Sequence, residues 1–208
     1  MNKIQNANFL SHINHVSSKI IKALAILRLL KYTFPRHILK TLYMSLIQPY
    51  LNHCNTIWGA TDKTIIEPLF RLQKKVIRLV NRAHYLEHTK PIFVSMKILT
   101  VYQLHDLNCL VLIYKCLNSD KYLNYKNEMT RNSHDHDYNT RNNSHFRLSD
   151  RDLKNNRQSF FYKGINLWYR LNNVKLTIYK ANLESKSNLL SFKRRIKHSI
   201  LTDAIQWG

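Results

Sequence analysis

Residues 133–146 read SHDHDYNTRNNSHF and set His134, His136 and His145 beside Asp135 and Asp137. Imidazoles and carboxylates hold divalent metal ions, but a site needs three or four such ligands fixed by outer hydrogen bonds. An Asn-rich loop supplies no such frame, so the stretch reads as a solvated loop with adventitious metal affinity. A second stretch, HYLEH at residues 84–88, matches the H-x-x-E-H pattern of catalytic zinc sites. That chemistry requires His84 and His88 one turn apart on a helix, a third ligand downstream and Glu87 over a bound water. The motif stands just before Pro91, where a helix is expected to be ending, and the later Glu128 and Glu184 lie in no matching helical context. A metal-dependent hydrolase on His84 and His88 is kept only as a third reading. The 12 acidic residues are scattered, without the cluster that would hold paired Mg²⁺, and the chain has no Gly-rich phosphate loop and no G-x-S-x-G elbow. No catalytic centre and no cofactor are expected.

Basic residues carry the stronger signal. Lys+Arg number 33 against 12 Asp+Glu, a net charge of +21. Divided at Asn118, the two parts carry +12 and +9, so the excess is spread along the chain. A folded chain with this self-repulsion points to a polyanionic partner, and nucleic acid is the default. The abundance of Asn, Lys, Ile and Tyr also fits an AT-rich coding bias, which inflates Lys without selection for binding. Within the excess, Arg71, Lys74, Lys75, Arg78 and Arg82 recur at helical spacing as one stripe, and Arg194, Arg195 and Lys197 form a second patch. Tyr43, Tyr85, Tyr162, Trp168 and Tyr169 are the aromatics that could stack on bases, although for Trp58 and Trp168 a place in the core is favoured.

The elements that must position these residues read as helices. Three glycines and four prolines in 208 residues are too few for a β-sandwich, and 44% apolar content suffices for a core. Ser11 reads as the N-cap of a helix running to about Tyr32, with Ile13, Val16, Ile20, Leu24 and Leu27 on its inner face. Pro35 opens a second helix that Pro49 should kink or end. A third runs from about Thr64 to Arg82, a short one from Pro91 to Ile98, and a longer, nearly all-apolar one from about Thr100 to Leu117. Periodicity vanishes over 119–156, a polar stretch of a length that is functional or disordered. It returns in RQSFFYKGINLWYRL (157–171) and in a last helix from about Asn188 to Ile205. The expected fold is all-α: a helical bundle, a long polar loop and a smaller C-terminal helical unit, divided as 1–83, 84–118, 119–156 and 157–208. Cys54, Cys109 and Cys116 form no CxxC pair, and the latter two fall on one helix face as buried thiols do. MNKIQNANFL lacks the apolar core of a signal peptide, and no stretch is long enough to span a bilayer. An intracellular, reducing compartment, cytoplasm or nucleus, is expected, with no membrane partner.

The order of segments resembles a known family. HINHVSSKIIKALAILRLL, PRHILKTLYMSLIQPYLNHCNTIWG, LFRLQKKVIRLV, HYLEHTKPIF, YNTR (138–141), FFYKGINLWYRL (160–171) and SFKRRIK (191–197) follow one another. Together they look like the region after the palm in reverse transcriptases of non-LTR (LINE-type, jockey-like) retrotransposons, over about residues 10 to 200. The resemblance implies a helical thumb to about Arg82, 84–118 as its continuation, and a helical C-terminal extension. In that family the thumb grips the template–primer duplex. The catalytic aspartates of the Y-x-D-D motif, and any Mg²⁺, belong to a palm upstream of the matching region, so the segment itself is not expected to catalyse. Where the family has W-N-x-L-P, this chain departs with Trp168-Tyr169-Arg170-Leu171-Asn172. Tyr138 and Arg141 match its YNTR pattern and make Arg141 a further candidate for a phosphate contact. The first reading is a nucleic-acid-binding thumb and C-terminal segment, with RNA or an RNA–DNA or DNA duplex as partner. The alternative is a helical protein-interaction module that docks a partner on exposed apolar faces.

Overall fold

The computed structural model describes residues 3–118, 160–173 and 189–202, with the side chains of 3–8, 160, 161, 169 and 171–173 excepted. The polar loop with its histidines, aspartates and Arg141 lies outside them. The described residues are all-α, with no strand among them. The chain divides into two compact units, Met1–His105 and Asp106–Gly208, and the division falls within one helix.

In the first unit, α1 (Lys3–Leu30) packs chiefly on α5 (Lys63–Asn81), with α2 (Arg36–Leu46), α3 (Gln48–Asn52), α4 (Asn55–Trp58) and α6 (Thr89–Met96) around them. The inner face of α1 is the one its spacing predicts: Ile13, Val16, Ile20, Leu24 and Leu27 are all buried. Its start is not. The helix begins at Lys3, and Ser11 lies inside it as an exposed residue. No Pro or Gly interrupts residues 3–10, so the backbone continues where the sequence suggested a cap. Pro49 acts as expected. It has no N–H for the Ser45 carbonyl, and α2 gives way to α3 at Ile47. Pro68 stands on the exposed side of α5 and forfeits one bond without ending the helix.

In this Gly-poor chain, basic residues take the left-handed positions that end helices. Arg82 (φ 56°) closes α5 with bonds from its own N–H to the Leu79 carbonyl and from Ala83 N–H to Arg78. Lys97 (φ 55°) closes α6 in the same way, through Val94 and Phe93. A Cβ is strained in that conformation. Lys97→Gly is therefore expected to raise stability by about 0.5 kcal/mol, after the extra freedom of glycine in the unfolded chain is subtracted, and a urea melt reads it.

The helix α7 (Val101–Asn118) opens with a reciprocal cap. Thr100 N–H donates to Gln103 Oε1 (3.0 Å), and Gln103 N–H donates to Thr100 Oγ1 (3.2 Å). The second unit joins the rest of α7 to α8 (Phe160–Asn173) and α9 (Leu189–Leu201). Its core holds Cys109, Leu110, Ile113, Ile165, Leu167, Ile196 and Ile200, with the Tyr114 and Phe192 rings stacked 4.2 Å apart. Lys163 Nζ lies 2.6 Å from Asp106 Oδ1. Burial pushes the Asp106 carboxyl up, against the opposing pull of Lys163 and Arg170.

Candidate nucleic-acid interface

The α5 helix sorts its residues by face. Ile66, Leu69, Val76, Ile77 and Val80 are buried on one side, while Arg71, Lys75 and Arg82 are exposed and Lys74 and Arg78 half-exposed on the other. From Arg71 to Arg82 the basic side runs about 16 Å along the axis, the scale of several phosphates on one strand. Glu67 is the one carboxylate on the helix, and it is engaged. It accepts from Arg71 Nε (3.2 Å) and from the Tyr102 hydroxyl (3.2 Å). Lys74 Nζ sits 4.0 Å from the centre of the Phe70 ring, a cation–π contact that holds the ammonium at the helix surface.

The two C-terminal arginines are partly spent inside the protein. Arg82 Nη2 donates to the carbonyls of Lys31 (2.9 Å) and Phe34 (2.8 Å), which fastens the turn between α1 and α2 to the end of α5. Arg78 Nε donates to the Glu87 carbonyl (2.9 Å) and ties down the turn that carries HYLEH. Arg82 thus acts first as a clamp, and the outward-facing part of the basic rail centres on Arg71, Lys74, Lys75 and Arg78.

His84 and His88 lie in that turn and not one helical turn apart. Among the described residues no group of three or more His, Cys, Asp or Glu side chains is arranged to hold a metal ion. The turn instead presents Tyr85 (73% exposed) and Leu86 (68% exposed), with His84 against the Tyr85 ring at 4.6 Å. Of the aromatics singled out in the sequence, Tyr85 stands in water beside the basic helix. Tyr43 and Trp168 are core residues and Tyr162 is half-buried, because apolar contact area outweighs any stacking role there. On α9, Arg194 and Arg195 are exposed and Lys197 half-buried, opposite Phe192, Ile196 and Ile200.

Comparison with protein-family models, curated proteins and solved structures finds no match. The chemistry of the site therefore rests on the geometry alone. Burial pushes the Cys109 thiol up to about 12 and the Cys116 thiol up as well, which keeps both protonated and unreactive. Cys54 is exposed, and no disulfide joins Cys54, Cys109 or Cys116. Among the described residues no helix is long and apolar enough to cross a membrane.

Burial, and then the Glu67 carboxylate, push the Tyr102 phenol up to about 12. Burial pushes Tyr43 up too, against its bond from Gln73. A phenol whose folded pKa exceeds its unfolded value contributes stability that is full below about pH 10 and lost as pH rises through the folded pKa. The chain is therefore expected to weaken between about pH 10 and 12, and Tyr102→Phe to flatten that decline in chemical denaturation.

The sequence missed Gln73. It is fully buried in α5, where its Nε2 donates to Tyr43 Oη (3.0 Å) and to the Leu99 carbonyl (3.0 Å), and its Oε1 accepts from Val101 N–H (2.9 Å). A signal existed: Gln73 is four residues after Leu69 and three before Val76, a polar side chain at a core register. It holds the back of α5 while the front presents its cations.

Proposed function

We propose that the chain is a nucleic-acid-binding helical segment that grips a template–primer or target duplex by its backbone. It derives from the thumb and C-terminal region of a non-LTR retrotransposon reverse transcriptase. The observation that carries the reading is the basic face of α5, with its single carboxylate, Glu67, already paired to Arg71 and Tyr102. The ordered family-like segments support it, and so does the absence of any Asp or Glu before Asp62. Such a segment works by electrostatics. Lys and Arg displace counterions from the phosphates, and no group needs to change protonation. Catalysis and Mg²⁺ would belong to the palm of the parent enzyme, and RNA–DNA hybrid, RNA or target DNA would be the ligand.

The test is a salt titration of binding to an RNA–DNA duplex. Affinity is expected to fall steeply with salt, and Lys74→Ala/Lys75→Ala to reduce the log–log slope by about 2, since each phosphate contact contributes about 0.9. Absence of binding at low salt, or a slope the double variant leaves unchanged, defeats the reading. Arg82→Ala serves as a contrast: it should lower stability through the lost clamp more than it alters the slope.

A further inference from the structure

The outer face of α1 carries apolar side chains that the fold leaves in water. Ile21, Ala25 and Leu29 follow one another at four-residue steps, and Tyr32 continues the line into the next turn. Ile21 is 52% exposed, Leu29 80% and Tyr32 84%. Single exposed apolar residues are ordinary, but a continuous line of them opposite a well-formed buried face is the mark of an interaction surface. The line is also held in place. Thr33 N–H and Phe34 N–H both donate to the Leu30 carbonyl, and Arg82 fastens the carbonyls of Lys31 and Phe34, so the turn bearing Tyr32 is ordered before any partner arrives.

Charge identifies the partner. Lys22 and Arg28 are exposed on either side of the line, and Lys31 Nζ stands 5.4 Å from the Tyr32 ring centre. No carboxylate occurs anywhere in residues 1–61. A second copy of the chain would set these cations against their own counterparts with no acid between them, since a two-fold interface pairs like with like. A nucleic-acid backbone would satisfy the cations but leave Ile21 and Leu29 against phosphate. An amphipathic helix with apolar residues on its seam and Asp or Glu on the flanks satisfies both sets at once.

We propose that the outer face of α1, through Ile21, Ala25, Leu29 and Tyr32 between Lys22 and Arg28, docks an acidic amphipathic helix of a partner protein. The surface lies on a different helix from the basic face of α5 and does not depend on the nucleic-acid reading.

The probe is a synthetic helical peptide of about three heptads with leucines on its seam and glutamates beside it, followed by fluorescence anisotropy at about 0.15 M salt. The full chain is expected to bind it saturably. Leu29→Ser/Tyr32→Ser should weaken binding at least about tenfold, and Lys22→Glu/Arg28→Glu should weaken it comparably. These side chains are exposed, so circular dichroism should show both variants folded as the parent is. A peptide of the same composition with its leucines scrambled should not bind. Equal binding of the scrambled peptide overturns the proposal in favour of bare charge attraction. Unchanged binding by Leu29→Ser/Tyr32→Ser overturns it by moving the contact elsewhere. A dimer in light scattering that this variant turns into a monomer assigns the face to a second copy. Capture by phosphatidylserine vesicles, without peptide binding and lost in the same variant, assigns it to a membrane surface.

Discussion

Gly59→Ala is expected to destabilise the Met1–His105 unit by about 3 kcal/mol, read as an earlier urea transition followed through Trp58 fluorescence. The backbone is not the reason. Gly59 has φ −68°, which any residue adopts. Space is the reason. A Cβ there would stand 2.5 Å from His105 Nδ1 and 2.8 Å from its Cγ, and would press on the Asn55 carbonyl. Neither neighbour can retreat easily. His105 is 1% exposed and its Nδ1 lies 2.9 Å from that same carbonyl, while the Trp58 indole N–H is bound to the His53 carbonyl at 2.7 Å. The methyl group must therefore displace a buried imidazole and break its contact with α4. Gly164→Ala is the internal comparison. Its Cβ would meet Ile113 Cγ1 at 2.7 Å and Cδ1 at 3.2 Å, but the Cys109 carbonyl stands back at 3.5 Å, so one apolar side chain must shift, no buried hydrogen bond is broken, and a smaller loss of about 2 kcal/mol is expected. Equal losses at the two positions would contradict this account.

Gln73→Leu should cost about as much, by the opposite mechanism. Leucine fills similar space and removes no apolar contact, yet it leaves the Tyr43 hydroxyl, the Leu99 carbonyl and the Val101 N–H buried without their partner. An orphaned buried polar group costs about 1–3 kcal/mol, so the sum after relaxation is about 3–5 kcal/mol. Tyr43→Phe, which removes only one of these bonds, should cost about 1 kcal/mol. Adding it to Gln73→Leu should cost less than the sum, because the phenylalanine no longer leaves a hydroxyl stranded. Full additivity in that double-mutant cycle would show that the Gln73–Tyr43 bond contributes nothing. Because Val101 opens α7, hydrogen exchange of the first turn of that helix should accelerate in Gln73→Leu.

Both predictions concern residues that a local reading treats as punctuation or as surface. Gly59 looks like the end of the NHCNTIWG segment, and Gln73 like one more polar residue on a basic helix. Their roles come from partners 26 to 46 positions away in the chain. Arg82 is the same case on the functional side. Its place in a basic stripe is plain from spacing, whereas the two carbonyls it holds lie 48 and 51 residues earlier.

Spacing alone determined much of this protein. The inner faces of α1 and α5, the burial of Cys109 and Cys116 and the basic rail opposite Val76 and Val80 follow from periods of three and four residues, and the break at Pro49 follows from its missing N–H. Those periods persist because each helix must turn one apolar face away from water. The same rule states only that a face is buried, not what it is buried against. Which tyrosines entered the core was therefore decided by packing, and so Tyr43 went inside while Tyr85 stayed out. Likewise, only tertiary structure could leave Leu29 and Tyr32 in water on a helix whose other side was full. The sequence carries the charge and the faces; the fold assigned each of them a partner or left it waiting for one.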